Sequence, residues 1–181
     1  LRDLDTGVRV ALAPHAPYSV SPALFAAIRA EIDSEFDYVS TVHLCESVEE
    51  LEFIRHGTGP WHTLLRDMGA WNGEWQPHGG SPVEYLTDLG FLDRRVLVVH
   101  GVQCTGDDLV RLRTLGMTVV SCPRINRHVG VGSPPLEAFY ATGVAVAFGT
   151  DSLASVGDLN MFAELAEARR ILKPGGYIYS T

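Results

Sequence analysis

Lysine is almost absent from this chain: Lys173 is the only one in 181 residues, and the formal net charge is −8. With no basic cluster to neutralise phosphates, binding to a nucleic-acid backbone and docking on anionic membranes are both excluded as expectations. Long apolar runs are missing too, since none approaches the about 20 residues that span a bilayer. The three cysteines, Cys45, Cys104 and Cys122, are odd in number and widely spaced, so reduced thiols are expected rather than a disulfide framework. Leu1-Arg2-Asp3-Leu4-Asp5 has neither the basic start nor the apolar core of a secretory signal. Together these absences predict a cytoplasmic protein. There is also no phosphate loop, no dinucleotide glycine fingerprint and no Cys-x-x-Cys pair.

What is present is an alternation of strand-like and helix-like segments. Hydrophobic residues make up 46% and charged residues 20%, the balance of an ordinary globular domain with a real core. Apolar runs at Val8–Ala13, Tyr38–Leu44, Val96–His100, Met117–Ser121 and Val144–Phe148 read as five strands. Helices are expected after Ser21-Pro22, after Ser47, after Ser81-Pro82, from Thr105 to Gly116, from Pro134-Pro135 to Gly143, and over Leu159–Leu172. The stretch from Gly57 to about Ser81 breaks this rhythm with Gly, Pro, Trp61, Trp71 and Trp75. It reads as an insertion whose tryptophans form either a stacking lid over an aromatic substrate or packing against the rest of the fold. β-α alternation with valine-rich strands predicts an α/β protein with a parallel sheet covered by helices. A length of 181 residues is short of the about 250 of a complete eight-stranded barrel. The expectation is therefore a partial TIM-type barrel over residues 1–172, with about five parallel strands, outer helices and the first strands absent. An atypical tail follows at 173–181.

Ionisable residues follow the strand runs: His43-Leu44-Cys45-Glu46, Val99-His100-Gly101 and Gly149-Thr150-Asp151. Polar groups just past the C-terminal ends of parallel strands are how an α/β barrel builds its site. A neutral imidazole at His43 can ligate a metal, and a carboxylate three residues on, Glu46, can reach a substrate held there. Asp151 can ligate a metal and accept a proton; alone it reads better as an N-cap for a following turn, but with His43 and His100 on neighbouring strand ends the metal reading prevails. His100 alone reads as a buried histidine, and Asn126 alone as a turn residue. His15, in Pro14-His15-Ala16-Pro17, is held by two prolines and reads as a substrate contact or a structural loop histidine. A Cys45 thiolate nucleophile is set aside, because a small buried cysteine in a strand is far commoner.

In combination these segments resemble the amidohydrolase superfamily, in its chlorohydrolase and aromatic deaminase branch. The resemblance rests on Pro14-His15-Ala16-Pro17-Tyr18, His43-Leu44-Cys45-Glu46, Val99-His100-Gly101, Ser121-Cys122-Pro123-Arg124-Ile125-Asn126, Gly149-Thr150-Asp151-Ser152 and Ala154-Ser155. Their order and spacing cover the chain from about Val10 to Arg170. The resemblance implies that His43 and Asp151 ligate one divalent metal ion, zinc first, with iron or manganese as alternatives. It implies that Glu46, His100 and Asp151 are catalytic and that His15, Asn126 and Ser155 hold substrate. The implied reaction is hydrolytic deamination of an amino-substituted N-heterocycle of the purine or nucleoside kind. Metal-activated water attacks the C–N carbon, Glu46 protonates the adjacent ring nitrogen, and Asp151 carries the water proton to departing ammonia. The partner is a small heterocyclic substrate, with no nucleic acid and no membrane. Hydrolysis of a C–Cl or amide bond by the same residues stays open. The family's His-x-His pair is absent from this sequence, as are its first three strands, which leaves an inactive fragment or partner subunit as a further reading. A five-stranded piece also leaves open sheet edges, for which homo-oligomerisation is the natural remedy.

Overall fold

A computed structural model describes residues 10–35, 37–71 and 73–172. The elements run α1 (Pro22–Asp33), β1 (Ser40–Leu44), α2 (Val48–His56), α3 (Pro60–Asp67), α4 (Pro82–Asp88), β2 (Val96–His100), α5 (Gly106–Thr114), β3 (Thr118–Ser121), α6 (Pro123–Val129), α7 (Leu136–Thr142), β4 (Ala145–Phe148), α8 (Leu153–Val156) and α9 (Met161–Ile171). The helices begin where local chemistry tells them to. Ser21 caps α1 with Pro22 at its first position, Ser81 and Glu84 form a capping box on α4, and Thr105 and Asp108 form one on α5.

The four strands form one parallel sheet in the order β1-β2-β3-β4. Sequential order in a parallel sheet means that every crossover steps the same way, and right-handed crossovers then put all the helices on one face. That is the winding of a barrel arc; a doubly wound sheet reverses its strand order. The burial pattern agrees. Val42, Leu44, Val96, Val98 and Val119 are buried in the helix-packed core with Phe25, Phe53, Phe91, Leu109 and Leu112. The alternate residues Thr41, His43, Leu97, Val99, Thr118 and Val120 are only half-buried. Period-two alternation places these two sets on opposite faces.

Three sequence expectations change. The strand expected at Val8–Ala13 lies outside the described residues at 8 and 9, and residues 10–13 are not in the sheet. The segment follows β1 by irregular bonds instead: the His43 N–H donates to the His15 carbonyl, Ser40 Oγ donates to the Leu12 carbonyl, and the Leu12 N–H donates to the Tyr38 hydroxyl. Pro14 and Pro17 have no N–H to continue a ladder. Second, the insertion contains α3, opened by Pro60. Trp71 and Trp75 pack the insertion onto Phe53, Trp75 stacking at 4.7 Å and donating to the Tyr85 hydroxyl, so these two are packing residues. Trp61 stacks on Tyr18 at 4.0 Å, beside the loop that carries His15. Third, Asn126 sits in a short helix, α6, rather than in a turn. The expected tail at 173–181 lies outside the described residues.

Candidate active site

β1 delivers His43 on its half-buried face, the one that carries Thr41. β2 pairs with β1 so that His100 lies opposite Leu44, a residue of the helix-packed face. Strict alternation would send the His100 side chain away from His43. The backbone at His100 is left-handed, with φ 76°, and the ring turns back to stack on His43 at a centroid distance of 5.2 Å. Among the described residues the only other non-glycine residues with positive φ are Cys45 (φ 52°) and Asp151 (φ 56°). All three lie at strand exits. Each such conformation costs on the order of 1–3 kcal/mol and persists only where the surroundings hold it, which is characteristic of functional sites.

The resulting cluster is tight. His43 Nε2 lies 3.8 Å from Asp151 Oδ1, and His100 Nε2 lies 3.7 Å from Glu46 Oε1 and 4.0 Å from Asp151 Oδ2. One ligand atom from each of His43, His100 and Asp151 falls within 4.8 Å of the other two. Both imidazoles are held from behind. His43 Nδ1 donates to the His15 carbonyl at 2.8 Å, and His100 Nδ1 donates to Asn126 Oδ1 at 2.9 Å. Oxygens that only accept fix the proton on each Nδ1 and leave both Nε2 lone pairs facing the carboxylates.

A divalent cation fits this arrangement. His100 Nε2 is buried without a hydrogen-bond partner, which is costly unless something accepts its lone pair. Two imidazoles and a carboxylate are a donor set that zinc hydrolase sites use, with a position left open. Burial holds the His100 imidazole below the ordinary histidine range, against the opposing pull of Glu46 and the Asn126 bond. Burial, and then His43, lower His15 in the same direction. Both effects favour the neutral form that a metal site requires.

The other expected residues are placed as follows. Glu46 is at the cluster, its side chain 22% exposed. His15 has its ring 5.0 Å from that of His43, with Nδ1 2.8 Å from Ser19 Oγ. Asn126 is fully buried, with Oδ1 on His100 and Nδ2 unpartnered. Ser155 lies half-buried in α8, where its N–H donates to the Ser152 carbonyl. The neighbouring Cys104 thiol and burial push the Cys45 thiol well above its ordinary range, consistent with setting it aside as a nucleophile.

Two fully buried glutamates, Glu50 and Glu164, went unanticipated. Glu50 accepts the N–H groups of Cys45 and Glu46, each at 2.9 Å. Burial pushes its carboxyl up to about 8, with those N–H groups opposing the shift. Its sequence signal was the Ser47-x-x-Glu50 spacing of a capping box. Glu164 accepts the Arg124 N–H at 3.0 Å and so anchors α6, the helix of Asn126, to α9. No local spacing marks that contact, which links residues 40 apart.

The family model described as the amidohydrolase family matches residues 1–178, and the chain belongs to that family. Aminodeoxyfutalosine deaminase of Deinococcus radiodurans is 39% identical over 179 residues, covering 93% of this chain and 41% of the relative. Among solved structures, an adenosine deaminase from Xanthomonas campestris with bound zinc matches at TM-score 0.69 and 32% identity, covering 87% of this chain and 31% of that one. Helicobacter pylori aminofutalosine deaminase in complex with methylthio-coformycin matches at TM-score 0.74 and 25% identity, covering 92% and 41%. The chain thus spans less than half the length of these proteins.

Proposed function

We propose that this chain carries the catalytic half of a metal-dependent hydrolytic deaminase acting on an adenine-type nucleoside. The observation that carries this reading is the convergence of His43, His100 and Asp151 within 4.8 Å, with Glu46 beside them at 3.7 Å from His100. His43, His100 and Asp151 would hold the ion, which is zinc in the Xanthomonas relative. When bound, a divalent ion supplies Lewis acidity that brings a water to a usable pKa of about 7.

The residues divide the proton traffic. Glu46 holds the proton that goes to the ring nitrogen next to the reacting carbon, so negative charge does not accumulate there. Asp151 takes a proton from the attacking water and hands it to the departing amine. Water adds to the carbon, the C–N bond breaks and ammonia leaves; as the carbonyl forms, its hydroxyl proton returns to Glu46. Asn126 acts through His100, whose tautomer it fixes. His15 and Ser155 are assigned to substrate contact, and Trp61 on Tyr18 offers an aromatic wall beside the His15 loop.

The test is ammonia release from adenosine, 5-methylthioadenosine, S-adenosylhomocysteine and aminodeoxyfutalosine by zinc-loaded protein. Release from one or more of these, abolished in Glu46→Gln, supports the reading; no release from any of them overturns it. A second reading is favoured by the exposed Ala145 and Val146 of β4. On it, the chain is active only when that edge is covered by further strands or by another copy, and activity that appears only in an assembled form would select it.

A further inference from the structure

Glu46 is useful as an acid only if its carboxylate is held in place, and β1 cannot do this because it ends at Leu44. The link from β1 to α2 passes through the left-handed Cys45. Its carbonyls are tied to the next loop: the Gly101 N–H donates to the Leu44 carbonyl and the Gln103 N–H to the Cys45 carbonyl. Its amides are tied to one side chain. Glu50 Oε1 takes the Cys45 N–H and Oε2 takes the Glu46 N–H, while the Glu50 N–H itself donates to Ser47 Oγ. Glu50 is fully buried and touches the link from the side of α2. An ordinary capping box closes on the N-cap amide. Here the carboxylate grips the two residues before the cap, including the one whose side chain faces His100.

We infer that Glu50 is the positioning residue of the site: its two carboxylate oxygens clamp the Cys45 and Glu46 amides and thereby aim Glu46 at His100. This rests on the deaminase reading for the role of Glu46, but the clamp itself is a separate physical claim. A 1 Å displacement of a reacting group is enough to cost about 100-fold in rate. Glutamine keeps the shape of Glu50 but has only one accepting oxygen, so one of the two amides must be released.

The test compares the full chain with its Glu50→Gln and Glu50→Asp variants by amide hydrogen exchange at Cys45 and Glu46, zinc content, and kcat and KM for ammonia release. The expected result in Glu50→Gln is exchange about tenfold faster at one of the two amides, the loss of one hydrogen bond. It is accompanied by a kcat about 100-fold lower, with KM and zinc content unchanged. Glu50→Asp, which retains both oxygens on a shorter stem, recovers part of both effects. Protection of both amides with unchanged kcat in Glu50→Gln overturns the inference. So does a loss spread over kcat, KM, zinc and the amides of the whole fold, which is what a merely structural role gives. If no chain releases ammonia, the deaminase reading fails, and the exchange result alone upholds or rejects the clamp.

Discussion

Asn126 Oδ1 lies 2.9 Å from His100 Nδ1, and both residues are fully buried. An amide oxygen can only accept, so this one contact sets the tautomer that aims His100 Nε2 at Glu46 and Asp151. Replacing Asn126 with Leu removes the acceptor at little change in volume. The expected outcome is zinc affinity lower by about 10–100-fold. Stability falls by about 1–3 kcal/mol, because the His100 N–H is left buried and unpaired. Calorimetric zinc titration and urea unfolding check the two numbers. Unchanged zinc affinity would show that His100 needs no such lock.

Glu50 makes stability depend on pH. Its carboxyl is raised from 4.5 to about 8 by burial. Between those values the folded chain holds a proton that the unfolded chain has released. Its contribution to stability is therefore present at low pH and lost as pH rises from about 4.5 to about 8. Each pH unit in that window costs about 1.4 kcal/mol at most. Urea unfolding across the window should show the decline in the native chain and a flatter profile in Glu50→Gln. Equal slopes would contradict it.

Gly149 is a packing requirement at the exit of β4. A Cβ there would lie 2.9 Å from Val120 Cγ1 and 3.4 Å from Cys122 Sγ. Val120 is β-branched and stiff, so the strand must shift instead. Gly149→Ala is expected to cost about 1–3 kcal/mol. It should also weaken zinc binding, since Asp151 lies two residues on. An unfolding midpoint equal to that of the native chain would show that the contact relaxes freely.

The sheet was legible where the sequence had continuous apolar runs closed by turn residues. Val96–His100 and the run ending at Ser121 needed no other information. The four strand-exit residues His43, Glu46, His100 and Asp151 were legible for the same reason, because a strand's end is visible in the sequence and barrel chemistry sits there. Val10–Ala13 is not a strand because side chains take its backbone groups: the Leu12 N–H donates to the Tyr38 hydroxyl and the Leu12 carbonyl accepts from Ser40 Oγ. α6 was invisible because seven residues with Ile125, Asn126 and His128 have little helix propensity; the Glu164 carboxylate, distant in sequence, holds its N-terminus. No local pattern announces the left-handed backbone at His100 and Asp151.

The central claim is that His43, His100 and Asp151 together hold one divalent cation. The most direct test is zinc stoichiometry by elemental analysis of the protein beside its His43→Ala, His100→Ala and Asp151→Asn variants, after dialysis against free zinc and removal of excess. The account predicts about one zinc per native chain and a near-complete loss in each variant, as expected for three ligands of a single ion. No zinc in the native protein, or the same content in all four, would contradict it.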